Sequence, residues 1–335
     1  MNILKKHAQQ TGFTLPLCVL LLGLTLTGAG GWWLRNAVDA NARAEFERGV
    51  DRIEGEVARR FREPIYALNG ARGVYAASAS VERAEFRAFA NSRNISSEFP
   101  GVKGLGFIQS VRRKDLAAFV AAERADGAPE FKVTDLEEAE RDQLYVIKFI
   151  EPLASNIHTV GEDVASEASR RVGAQQAIDT GEPTITEAIS LVQAGQATTG
   201  VLLYLPVYAQ GASARNATER QAALLGLVYA PIVITDLLNN MQDLHTGQFD
   251  FELFDAPDGA SADRLIFDAD NHLASLSGDD TGLSSREFHT LRPVHLPGRT
   301  LMLRISSTPQ FEAGVQSASP VLVVVGGLLA SLLLS

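Results

Sequence analysis

Residues 99–119 read FPGVKGLGFIQSVRRKDLAAF, and within them the apolar pattern changes its period. From Val102 to Val111 apolar and small residues alternate, as in a strand with one buried face. From Arg113 to Arg124 the inward positions are Leu116, Phe119 and Val120, the spacing of a one-sided helix. A strand that runs straight into a one-sided helix predicts an α+β fold built on an antiparallel sheet.

Toward the C-terminus the same reading predicts strands at 129–134, 143–150, 184–192 and 200–208. A helix from Val164 to Asp179 is capped by Asp163 and stopped by Gly181. A second, smaller set follows, with strands near 223–230, 248–254, 264–268 and 291–306 and a helix from Ile234 to Met241. The Gly-, Ser- and Asp-rich segments 209–218 and 277–285 read as loops. Two stacked lobes are therefore expected, at 99–208 and 219–310.

Toward the N-terminus Phe46, Val50, Ile53, Val57 and Phe61 recur at spacings of four, three, four and four, with charges between them. This predicts a long stalk helix, uninterrupted by proline until Pro64, inside a helical region spanning 36–98. Its stripe packs either on its own domain or along a dimer seam. A second helical stretch is broken by Gly70 and Gly73, and Ser80 caps Val81 to Asn91.

The two ends of the chain set its location. Thr14 to Leu34 carries no charge, follows Lys5 and Lys6, and ends at Trp32 and Trp33. Twenty-one residues span about 31 Å as a helix, the thickness of a bilayer core, so 14–34 reads as a transmembrane helix. The lysines hold 1–13 in the cytoplasm and the tryptophans mark the outer interface. A cleaved signal peptide is the competing reading, and the length of the run favours an anchor. Residues 320–335 are again apolar, and sixteen residues span about 24 Å, so a second transmembrane helix is expected to be cut short at Ser335.

Residues 36–319 hold all 40 Asp and Glu and 27 of the 30 Lys and Arg, a net charge of −13. An acidic module of this kind, placed outside the cytoplasm at the inner membrane, is a poor nucleic-acid binder. The one cysteine, Cys18, lies in the first apolar segment, which excludes a disulfide or a cysteine-based metal site in the module. The chain lacks H-E-x-x-H, G-x-S-x-G and a Walker loop, so no catalytic residues and no cofactor are assigned. His289 and His295 want a third metal ligand that nothing nominates, and Asp268, Asp270 and Asn271 read as a turn rather than a calcium loop. Gly104 and Gly106 read as sites of backbone crowding.

Several blocks in order carry a family resemblance: EFRAFANSR (85–93), residues 99–119 quoted above, FIEPL (149–153), GEDVASEASRR (161–171), AIDTGEPTITEAISLVQ (177–193) and GVLLYLPVY (200–208). Together they resemble a CHASE domain, the extracytoplasmic sensor of bacterial histidine kinases, cyclic-dinucleotide enzymes and plant cytokinin receptors. The resemblance covers roughly 65–310. It implies a long helix followed by two PAS-like lobes, a small-molecule ligand in the membrane-distal lobe at 99–208, and a membrane-proximal lobe at 219–310. It also implies a homodimer joined through stalk and membrane helices, and a cytoplasmic output domain, histidine kinase or diguanylate cyclase, beyond this chain.

In cytokinin-binding members of the resembled family a carboxylate before the strand matching 145–150 anchors the ligand, and a threonine in the next strand assists. Thr186 matches the threonine; Gln143 takes the carboxylate position when Tyr145 is aligned, and Asp142 takes it after a one-residue slip. With Tyr145 and Tyr204 these form the candidate ligand set. Around them lie Lys148, Glu151, Asp163, Arg170, Arg171 and Thr184; Asp163 also reads as a helix cap, and Arg170 and Arg171 as a solvated helix face or as salt-bridge partners of Glu151. A pilin-like anchor is the alternative, because Gly12 precedes Phe13, Thr14 and Leu15 as in a prepilin leader, but Leu17 stands where pilins carry glutamate.

Overall fold

The computed structural model describes residues 3–134, 141–193, 196–239, 241, 247–257, 259, 261–270, 286–317 and 321–334. In chain order, helices α1 (Ile3–Arg62), α2 (Pro64–Ala77), α3 (Arg83–Asn91) and α4 (Ile95–Glu98) precede strand β1 (Leu105–Arg112) and helix α5 (Leu116–Ala125). Then come β2 (Gln143–Glu151), α6 (Leu153–Asn156), α7 (Ala168–Thr180), β3 (Thr184–Ile185), β4 (Ile189–Gln193), β5 (Gln196–Tyr208) and α8 (Ala217–Ala223). The chain continues through β6 (Leu224–Val233), α9 (Ile234–Leu238), β7 (Phe249–Phe254), β8 (Leu265–Asp268), β9 (His289–Leu296), β10 (Arg299–Ser307), α10 (Pro309–Ser317) and α11 (Val321–Leu334).

The strands form two antiparallel sheets. The larger runs β2-β1-β6-β5-β3, with β4 also pairing to β5, and the smaller runs β8-β7-β10-β9. This corrects the expected lobe boundary: β6, read from sequence as the start of the second lobe, lies between β1 and β5 at the centre of the first sheet. Its run LLGLVYAPIV is buried on both faces, the pattern of a central strand, and position in the sequence does not betray such a strand.

Smaller corrections have local causes. No strand forms at 129–134, where Thr134 makes only an isolated bridge to Glu162. The strand expected at 184–192 is split, and 291–306 is a hairpin turning at Gly298, whose φ of 73° places it in the left-handed region. α2 runs through Gly70 and Gly73. α3 starts at Arg83, not Val81, because Glu82 and Glu85 form a reciprocal capping box. Asp163 caps a short 3₁₀ turn, whereas α7 is capped by Glu167 and ends at Gly181 as expected. The expected loop 209–218 gives way to α8 at Ala217, capped by Asn216. The expected loop 277–285 lies outside the described residues.

One core runs the length of the molecule. The stripe Phe46, Val50, Ile53, Val57 and Phe61 is buried within the chain, so of its two readings the structure takes packing on its own domain. Phe46 meets Phe249 of β7 edge-on at 5.8 Å, and Arg60 donates to the carbonyl of Leu237. The same core continues under the large sheet through Phe107, Phe149, Leu203, Leu205 and Val228. A separate core lies on the opposite face of that sheet, beneath α7.

α1 is long and apolar enough to cross a membrane, and α11 is a shorter apolar helix beside it. They approach through small residues. A methyl group on Gly31 would stand 2.6 Å from Val324, and one on Gly327 would stand 2.6 Å from the Thr27 hydroxyl.

Candidate functional site

The face of the large sheet under α7 is built by alternation. Ile108, Tyr145, Ile147, Leu202, Tyr204, Leu227 and Tyr229 all point to it from four neighbouring strands. α7 can approach this closely because Gly173 presents no side chain there, and a methyl group would stand 3.0 Å from Thr186. On the same face Gly106 leaves room for the Tyr229 ring, since a methyl group there would stand 2.6 Å from the carbonyl of Phe149 and 2.8 Å from Cζ of Tyr229. Backbone crowding therefore explains Gly104 and Gly106, as the sequence predicts.

At one end of this face lies a cavity of about 80 Å³. Ile147, Ile150, Leu191, Leu202 and Pro231 supply its apolar walls, and Asn156, His158, Thr159, Glu162, Arg170 and Tyr229 its polar ones. One water needs about 10–15 Å³ on this measure, so the space takes about five to eight water-sized groups.

Polar groups in its lining and just behind it are incompletely paired. The hydroxyls of Tyr204 and Tyr229, direct cross-strand neighbours, are buried without a hydrogen-bond partner, and so is Nε of Arg170. Thr159 faces Tyr229 without a hydrogen bond of normal geometry. Arg170 Nη1 donates to Glu162 at 3.2 Å, and its Nε stands 4.0 Å from Glu167. Burial pushes both phenols well above their ordinary pKa, so both remain protonated through the physiological range. Each unmet buried hydroxyl costs about 1–3 kcal/mol, which a hydrogen-bonding guest would recover.

None of the five residues singled out from sequence lines this cavity. Tyr204 and Tyr145 belong to the same buried face, and the Tyr145 hydroxyl accepts from Gln221 at 3.3 Å. Thr186 is buried at the edge of the face, but its hydroxyl donates to the Glu187 carbonyl at 2.7 Å and accepts from Leu202 N at 3.0 Å. Gln143 donates to Ser110 at 2.8 Å at the far end of β2, and Asp142 beside it is exposed. Glu151 pairs with Arg87 at 2.8 Å, not with Arg170 or Arg171. Sequence reading missed Tyr229, Thr159 and Glu162. Tyr229 was legible only with β6 placed in the first sheet.

On the stalk side of the sheet lies a contrasting, closed cluster, in which buried Glu123 binds both Arg83 and Lys148 at 2.9 Å. Both cations also lie over the Phe149 ring. In the small sheet Asp250, Asp268 and Asp270 bring carboxylates within 4.8 Å of one another, and His295 contacts Thr300 across its hairpin at 3.0 Å. Asn271 lies outside the described residues.

The cavity is joined to the small sheet. Ser169 of α7 donates to Glu187 at 3.2 Å, and Glu187 faces Arg299 of β10 at 3.6 Å. Arg299 in turn binds Asp255 at 2.5 Å, and Asp255 accepts from Ala188 N at 2.7 Å. The β9–β10 turn also docks here: Gln176 of α7 donates to the Gly298 carbonyl at 2.8 Å, and Ile185 N donates to Pro297 at 3.0 Å.

Against known families, the model described as CHASE domain matches residues 79–267. No curated protein matches. Among solved structures, an extracellular ligand binding receptor from Desulfohalobium retbaense is similar at 12% identity and TM-score 0.46, covering 77% of this chain and 39% of that one. A methyl-accepting chemotaxis protein X follows at 14% identity and TM-score 0.44, covering 81% and 97%. The periplasmic sensory domain of a Campylobacter jejuni chemoreceptor shows 10% identity and TM-score 0.43, covering 82% and 96%. This chain therefore spans 39% of the length of the first of these.

Proposed function

The chain belongs to the CHASE domain family, which is sensory and not catalytic, and on that premise we propose that it is an extracytoplasmic receptor for a small molecule. The observation that carries this reading is the cavity under α7, with buried hydrogen-bonding groups left unmet around an apolar pocket. In this reading α1 and α11 both cross the inner membrane, the two sheets are the membrane-distal and membrane-proximal PAS-like lobes, and the module between the helices is extracytoplasmic. Ligand contacts centre on Tyr229 and Arg170, with Tyr204 and Tyr145 behind them and Thr186 holding β3 to β5. Asp142 and Gln143 would serve a ligand only by reaching in from the far end of β2.

Transmission follows the contacts. A guest that draws α7 toward the sheet moves Ser169 and Gln176, which pull on Glu187 and on the Pro297–Gly298 turn. β10 carries that displacement to α10 and so to α11, which slides or rotates against α1 on the small-residue seam. A coupling of about 1–3 kcal/mol is typical of such two-state shifts. A cytoplasmic output domain, histidine kinase or diguanylate cyclase, would read it, in a homodimer whose seam uses the faces of α1 turned away from the buried stripe. The pilin-like reading finds no support among the matches.

The test is a ligand titration of the full-length receptor in nanodiscs, following both thermal stability and cytoplasmic output. A ligand that raises the melting temperature and shifts output is expected. A metabolite library in which no member changes either quantity would sink the receptor reading.

A further inference from the structure

The chemistry of the cavity narrows the ligand class, and this inference rests on the receptor reading above. Tyr229 Oη and Arg170 Nε in the lining, and Tyr204 Oη beside Tyr229, are buried without hydrogen bonds. All three can donate, and the arginine nitrogen can do nothing else, so the guest must present an acceptor. The charges already in place limit what kind. Arg170 is bound to Glu162 at 3.2 Å and has Glu167 at 4.0 Å, so one cation already faces two carboxylates. An incoming carboxylate would be a third negative charge in a partly desolvated space, and an incoming cation would meet Arg170 and a wall of donors.

We propose that the cavity takes a small neutral molecule bearing a carbonyl or amide oxygen, held by Tyr229 Oη and Arg170 Nε with its alkyl part against Ile147, Ile150 and Leu202. The space of about 80 Å³ restricts it to a few heavy atoms. The oxygen replaces the missing partner of the phenol and of the guanidinium at once, and the guest adds no charge beside Glu162.

Three isosteric probes separate the possibilities: isobutyramide, isobutyrate and isobutyramidinium share shape and heavy-atom count and differ only in charge. With the full-length chain in nanodiscs, calorimetric titration at neutral pH is expected to show isobutyramide binding at least tenfold more tightly than either ion. Tyr229→Phe should weaken the amide about tenfold while leaving the melting temperature within a few degrees or raising it, since the variant deletes an unmet hydroxyl. Arg170→Lys should weaken it similarly, because an ammonium cannot reproduce the fixed Nε donor. Tightest binding by the carboxylate or by the amidinium overturns the neutral-acceptor assignment and leaves the receptor reading intact. Unchanged amide affinity in Tyr229→Phe overturns it too, as does failure of all three probes to bind while another metabolite stabilises the chain. Failure of every metabolite would instead be the failure of the receptor reading itself.

Discussion

Both sheets turn one face to the helical stalk, the six-stranded sheet to α2 and the four-stranded sheet to α1, and they differ on the side turned away from it. On the large sheet that side holds a cavity and buried hydroxyls with no partner. On the small sheet it holds Glu252 and Arg304, directly opposite on β7 and β10, joined at 2.8 Å with the guanidinium over Phe254. On the first sheet the unmet hydroxyls stand at or beside a cavity, whereas on the second a charged pair closes across neighbouring strands, with Arg304 Nη2 the atom left over. In the proposed reading, recognition belongs to the first sheet and the relay to the second.

The largest effect should come from breaking the closed pair. Arg304→Met takes the guanidinium away from buried Glu252 and should cost about 3–5 kcal/mol in chemical denaturation. Replacing both partners by apolar residues should be far milder.

Alkaline pH attacks the other sheet, because every tyrosine of the chain lies in the stalk or the six-stranded unit. Tyr204 and Tyr229 are held neutral by burial, whereas in the unfolded chain they lose their protons near pH 10.0. Stability is therefore intact below that pH and falls above it, by about 1.4 kcal/mol per pH unit for each tyrosine. The double Phe variant should flatten that fall in a pH-dependent melting series, and buried Tyr75 retains part of it.

Gly106→Ala should cost about 1–3 kcal/mol by overpacking. It should also displace Tyr229, so probe binding weakens together with stability. Arg299→Met should cost about 1–2 kcal/mol: its pair with Glu187 is partly exposed, and buried Asp255 keeps its hydrogen bond from Ala188 N. It should nevertheless separate binding from output, since Arg299 ties Glu187 to Asp255.

Sequence reading reached the stalk stripe, most strands and the helix with its stop at Gly181 because each has a local period or a local cap. It misplaced β6 because strand order is decided by partners distant in the chain, and the run of 224–233 suits the centre of either sheet. It named Tyr204 as one of the polar groups beside the strands of the expected first lobe but missed Tyr229, its cross-strand partner, for the same reason. Thr186 shows a different limit: the family resemblance singled it out, and only the folded structure reveals that Leu202 N and the Glu187 carbonyl occupy its hydroxyl.

Hydrogen exchange of the full-length chain with and without saturating isobutyramide tests the central claim most directly. The account predicts added protection at Asn156–Arg170 and at Tyr229, and also at the Pro297–Gly298 turn and along β10, with the distant changes lost in Arg299→Met. Protection confined to the four-stranded sheet, or absent from the cavity walls while the probe is bound, would contradict it.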